Sequence, residues 1–141
     1  MRGVNLAGFI SKQPNGKYCR FSTIIDCPTD INMTFEDYVL VVMRNQHLNE
    51  ERAIVEATDV FNHHLQPFER VLRAFYPNNL SEKSFLELVK KMCDPNGVYE
   101  LVDEKGTIER IEYENDDELN AHCIEFENKA REIAGLGPRK K

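Results

Sequence analysis

Several protein classes are excluded by what the chain does not contain. Its four cysteines, Cys19, Cys27, Cys93 and Cys123, include no CxxC pair, which removes the thioredoxin-like redox motif and the paired-ligand zinc site. No GxSxG, P-loop, GxGxxG or HExxH occurs, so no nucleophile elbow, phosphate cradle, dinucleotide fingerprint or helical zinc motif is written in it. No apolar run approaches the ~20 residues that a membrane-spanning helix requires. The N-terminal stretch MRGVNLAGFISKQPNGK lacks the small-residue cleavage pattern of a secretory signal, so a cytoplasmic location with reduced thiols is expected. Gly 7 and Pro 6 in 141 residues are far below collagen-like or low-complexity levels.

What is present is globular. Hydrophobic residues make up 41% and charged residues 30%, enough for one core in a chain of this length, 1–141 being read as a single domain. Lys+Arg 18 against Asp+Glu 24 leaves −6, which argues against general nucleic-acid binding.

Residues 4–25 read as a β-hairpin around Gln13-Pro14-Asn15-Gly16, with Asn-Gly supplying the positive-φ positions of the turn. Cys27-Pro28-Thr29-Asp30 is expected to break the strand. Helices occupy 34–93. Thr34 and Asp37 form a capping box with Met33 stapled to Tyr38, and Phe35, Tyr38, Val39, Val42 and Met43 carry an apolar face. The β-branched run Val39 to Val42 also allows a strand. Ile54, Ala57, Leu65, Phe68 and Phe75 then continue a long amphipathic helix that Pro67 must kink or restart near Gln66. Leu80 and Ser81 open a third helix running to Cys93. Residues 98–114 read as a second hairpin, 116–134 as a C-terminal helix ended by Gly135, and 135–141 as a basic tail.

The predicted fold class is therefore α+β, with two hairpins in a small antiparallel sheet, a long kinked amphipathic helix and a C-terminal helix. Isolated hairpins are marginal in water and expose edges. Leu119, Cys123, Phe126, Ala130 and Ile133 mark a narrow seam along the last helix. Both features point to a homodimer, the alternative being packing within one chain.

Charge is unevenly spread. Met1 to Ile25 carries Arg2, Lys12, Lys17 and Arg20 with no acid, whereas Val98 to Asn128 holds eleven acids against Lys105 and Arg110. Guanidinium forks bind phosphate and aromatic faces stack on bases, so Lys12, Lys17, Tyr18 and Arg20 are the candidate site for a phosphate-bearing ligand. A solvated strand face explains the same residues. Glu100, Asp103, Glu104, Glu109, Glu112 and Glu114 are the candidate partner-binding residues, because spaced carboxylates present charge much as nucleic acid does. The plainer explanation is a solvated face favouring a helix dipole.

A zinc site from Cys19, Cys27, His122 and Cys123, with His63 or His64, lacks paired ligand spacing, and neighbours such as His122 and Cys123 point about 100° apart on a helix. A general base at His63 or His64, oriented by Glu56 or Glu69, would need Cys19 or Cys27 within reach. Neither arrangement is adopted, so no catalytic residue, metal or cofactor is expected.

Val4 to Thr23, together with Asn32-Met33-Thr34-Phe35-Glu36-Asp37-Tyr38, resembles small proteins carried by phages and prophages of Gram-positive bacteria, over the first third of the chain. The resemblance implies a non-enzymatic inhibitor of host defence, acting in the infected cell by binding a CRISPR effector or by sequestering a nucleotide signal. The docking form of that function would use the acidic residues and the sequestering form the basic hairpin. A small phage enzyme of nucleotide metabolism is the alternative from another class.

Overall fold

The computed structural model describes residues 8–103 and 112–138. The fold is α+β: a five-stranded, mostly antiparallel sheet with helices on both faces.

The hairpin forms as its turn residues direct. Strand β1 (Gly8–Lys12) pairs with β2 (Tyr18–Ser22) from Gly8↔Ser22 to Lys12↔Tyr18. Gly16 N–H donates to Gln13 O at 2.9 Å, and of the turn residues only Gly16 takes positive φ, at 89°. The connection is thus a three-residue loop with a left-handed glycine, and Asn15 needs no positive φ.

Cys27-Pro28-Thr29-Asp30 does not break the sheet. It begins β3 (Cys27–Met33), and the interruption falls earlier, in a turn over 23–26 with Asp26 at φ 59°. Pro28 is tolerated because the β2–β3 ladder is already irregular beside its partner Phe21, and a proline that donates nothing fits such a place. Ile31 and Met33 join opposite clusters, which strict alternation forbids for residues two apart. The left-handed Asn32 between them, φ 58°, turns the strand over.

Helix α1 (Phe35–Gln46) settles the ambiguous valine run as helix. Thr34 Oγ1 accepts from Asp37 N–H at 3.1 Å and Asp37 Oδ2 accepts from Thr34 N–H at 3.0 Å, a reciprocal cap that outweighs β-propensity. Helix α2 (Glu50–His63) buries Ala53, Ala57 and Val60, small residues that let it lie close to α1. The predicted long helix is interrupted more strongly than by a kink. Leu65–Gln66 form β4, parallel to β1 at Ile10 and Ser11, before α3 (Phe68–Ala74) restarts after Pro67. Proline pushes the residue before it into extended backbone, and Gln66 uses that conformation to pair.

Helix α4 (Glu82–Cys93) starts at the Ser81 cap. Of the second predicted hairpin, Glu100–Leu101 form β5, antiparallel to β3; 104–111 lie outside the described residues. Helix α5 (Asp116–Ile133) is capped by Asn115, while Glu118 reaches back to the N–H of Glu114. The sheet order is β4-β1-β2-β3-β5.

Phe9 and Ile10 are consecutive in β1 and belong to different clusters, so the core has two sides. Ile10 and Met33 pack with Tyr38, Val39 and Val42 of α1 and Ala53, Ala57 and Val60 of α2. Phe9, Cys19, Phe21 and Ile31 pack with α3, α4 and α5, where Phe75 stacks on Phe85 at 4.0 Å and Phe126 closes over both. Phe126, Ala130 and Ile133 of the predicted seam are therefore used within the chain. No described helix is long and apolar enough to cross a membrane.

Candidate functional site

The first half of α5 does not follow its second half into the core. Beyond Phe126 the stripe thins to Leu119 and the exposed Cys123, and a cleft of about 1230 Å³ opens between α4, the first half of α5, the loop after α3 and the segment after β5. Tyr76 and Pro77 form part of its wall; Glu82, Glu87, Glu100, Asp103 and Glu127 bring carboxylates to it, against Arg73, Lys83 and Lys91.

Within the cleft His122 Nε2 lies 2.9 Å from Glu82 Oε2, joining α5 to α4, and the Tyr113 ring sits 5.7 Å from the imidazole. Desolvation at the cleft wall, and then the Glu82 carboxylate, push the Tyr113 phenol above its ordinary value, with Cys123, Tyr76 and Glu118 adding to the shift. Tyr76, Tyr113 and Glu82 thus line the same cleft. Tyr76 is 57% exposed there, an aromatic surface with few neighbours of its own.

Among the cations, Lys91 Nζ is held by Glu100 at 3.1 Å, and Arg73 lies 3.9 Å from Glu127. Such a corner offers aromatic faces and carboxylates together, the chemistry that receives a guanidinium or ammonium group.

Of the acidic residues singled out in the sequence, Glu100 and Asp103 line this cleft. Glu112 and Glu114 are exposed on either side of Tyr113. Glu104 and Glu109 lie outside the described residues. The basic residues of the first hairpin are engaged separately. Lys17 Nζ donates to Gly97 O, and Arg20 donates to Thr29 Oγ1 at 3.0 Å. The Tyr18 ring lies against Phe61 of α2 at 4.2 Å, and Lys12 is exposed at the strand end. Lys12, Tyr18 and Arg20 share the predicted strand face, but α2 covers its Tyr18 part.

The residues weighed for catalysis or metal lie apart. Cys19 is buried under the sheet, and burial pushes its thiol up to about 12. His63 and His64 are exposed at the end of α2, with His64 3.3 Å from Asp59. Among the described residues no group of three or more His, Cys, Asp and Glu side chains is placed to hold a metal ion.

Sequence reasoning missed Tyr76, Tyr113 and Glu82 as members of one site. No local signal marks them, because Glu82 and His122 are forty positions apart and meet only when α5 lies along α4. No protein-family model, no curated protein and no solved structure matches the chain.

Proposed function

We propose that the protein is a non-catalytic binding protein that docks its acidic, tyrosine-lined cleft onto a basic, nucleic-acid-binding surface of a partner protein. The observation that supports this best is that Tyr76, Tyr113 and Glu82 line one open cleft, with Glu82 and the Tyr113 ring both set against His122. Arginine suits it, since a guanidinium stacks on an aromatic ring and forks onto a carboxylate at once. The resemblance of the first third of the chain to phage proteins favours a host defence protein as the partner. Occupying its basic surface would keep nucleic acid out.

An arginine-rich peptide is the probe. Binding followed through tyrosine fluorescence is expected to weaken by on the order of tenfold between about 50 and about 500 mM salt, as screening shortens the reach of charge. Tyr113→Ala with Asp103→Lys should abolish it, and Tyr18→Ala with Arg20→Ala should leave it unchanged. Native mass spectrometry of the freshly purified protein supplies the opposing result. A stoichiometric nucleotide released on denaturation, with peptide binding unaffected by the cleft variants, would overturn docking in favour of nucleotide sequestration at the first hairpin.

A further inference from the structure

Two Pro-Asn-Gly triplets occur, at 14–16 and 95–97, and the chain brings them together. Asn15 Nδ2 donates to Asp94 O at 2.8 Å, Asn15 N–H to Met92 O at 3.3 Å, and Lys17 Nζ to Gly97 O. The contact is tight. A Cβ on Gly97 would lie 2.5 Å from Asn32 Nδ2 and 3.0 Å from Lys91 O, so only glycine lets the second turn seat against the buried Asn32. Both turns close by the same bond, Gly16 N–H to Gln13 O and Gly97 N–H to Asp94 O, each 2.9 Å.

Their asparagine side chains differ. Asn15 Oδ1 accepts from Gln13 Nε2 at 2.9 Å and from Lys17 N–H at 3.0 Å, and Asn15 Nδ2 also donates to Asn32 Oδ1 at 2.9 Å. The amide is half-buried and bonded at both ends. Asn96 is exposed; its backbone N–H is held by Asp94 Oδ1 at 2.9 Å, while among the described residues its side-chain amide has no hydrogen-bond partner.

An asparagine followed by glycine is open to attack by the glycine nitrogen, because no Cβ shields that nitrogen. The N–H gives its proton to solvent base, the nitrogen bonds to the asparagine Cγ, and the Cγ–N bond breaks as the amide nitrogen takes a proton from solvent and leaves as ammonia. One water then opens the resulting succinimide at either carbonyl, leaving aspartate or isoaspartate. The step needs no oxidant or cofactor, and it requires a side chain free to rotate onto the backbone.

We infer that Asn96–Gly97 is a spontaneous deamidation site whose conversion unlatches the first hairpin from the end of α4, while hydrogen bonding protects Asn15–Gly16. Isoaspartate routes the backbone through an extra carbon, which moves Gly97 out of its fit against Asn32 and away from Lys17. Either product adds a carboxylate beside Asp94. The inference is independent of the docking proposal.

Ageing the full chain in warm, mildly alkaline buffer, followed by peptide mapping that separates aspartate from isoaspartate, tests it. Asn96 should convert at least about tenfold faster than Asn15, whose amide must first be freed from its bonds. In urea the two rates should come together, because both sit in the same triplet. Asn96→Gln, which cannot close the five-membered ring, should remove the product. Equal native rates, faster conversion of Asn15, or conversion in urea alone would overturn the assignment. Hydrogen exchange at the Asn15 amide should be faster in the isolated isoaspartate form; an unchanged rate would overturn the unlatching.

Discussion

The side of the sheet under α1 and α2 is closed, and the side under α3, α4 and α5 is open at one end. On the closed side the carboxylate of Asp30, only 1% exposed, accepts from Tyr99 Oη at 2.7 Å and Thr29 Oγ1 at 2.7 Å and lies 3.5 Å from Arg44. These contacts tie β5 and α1 to the middle of the sheet. Burying a carboxylate is tolerable because donors replace the lost water. On the open side Phe75, Phe85 and Phe126 make a dense aromatic core, yet one turn earlier the same helix reaches α4 through the His122–Glu82 pair in the cleft. A helix follows the core only as far as its large apolar residues extend. Leu119 and Cys123 bury too little to offset desolvating Asp116, Asp117, Glu118 and Glu125, so a cleft remains.

The largest effect is expected at Phe85, which is fully buried on the open side. Phe85→Ala should cost about 3–5 kcal/mol in urea unfolding followed by circular dichroism, releasing α5 while the α1–α2 side stays ordered by hydrogen exchange. Alkaline titration reads both sides together. Burial raises Cys19, on the open side, from 9.0 to about 12, and Tyr38, on the closed side, from 10.0 to about 12. The folded state keeps protons that the unfolded chain loses, so stability is fully present below pH 9 and declines from there. Cys19 accounts for a factor of about ten in the folding equilibrium per pH unit, and Tyr38 adds as much above pH 10. Cys19→Ala should delete the earlier decline and leave the later one. Asp30→Ala should cost about 2 kcal/mol by removing the buried acceptor of the Tyr99 and Thr29 hydroxyls and the charge facing Arg44, read as a fall in the urea midpoint. The smallest effect is expected at the cleft. Tyr113→Ala should change stability by no more than about 0.5 kcal/mol, and a larger loss of melting temperature would mean that the cleft corner is part of the core.

Much of this was legible in the chain itself. The Thr34–Asp37 cap, the Ser81 and Asn115 caps and the Gln13-Pro14-Asn15-Gly16 turn are local features, each set by a side chain within three or four residues of the backbone group it bonds. They fix the starts of α1, α4 and α5 and the first hairpin. The spacing of Ile54, Ala57 and Phe68 likewise marked helix on both sides of Pro67, but the same spacing counted Leu65 into one long helix, whereas it lies in β4. Less was legible where partners are distant. That Cys27–Asp30 is strand depends on β2 and β5 lying on either side of it, and the two-residue β4 exists only because β1 offers an edge beside Gln66. The basic hairpin was legible as sequence, but its engagement by Thr29, Phe61 and Gly97 was not.

By itself, then, the sequence determined the class of fold, the helix starts, the tight turn and the concentration of acid toward the C-terminal end, because propensity, capping and composition act over a few residues. Tertiary structure alone decided that the two Pro-Asn-Gly turns touch, that half of the α5 stripe is core and half borders a cleft, and that Tyr76, Tyr113 and Glu82 share a corner. Those outcomes depend on how helices of limited apolar length pack across a sheet. No window of the sequence contains both partners of such a contact.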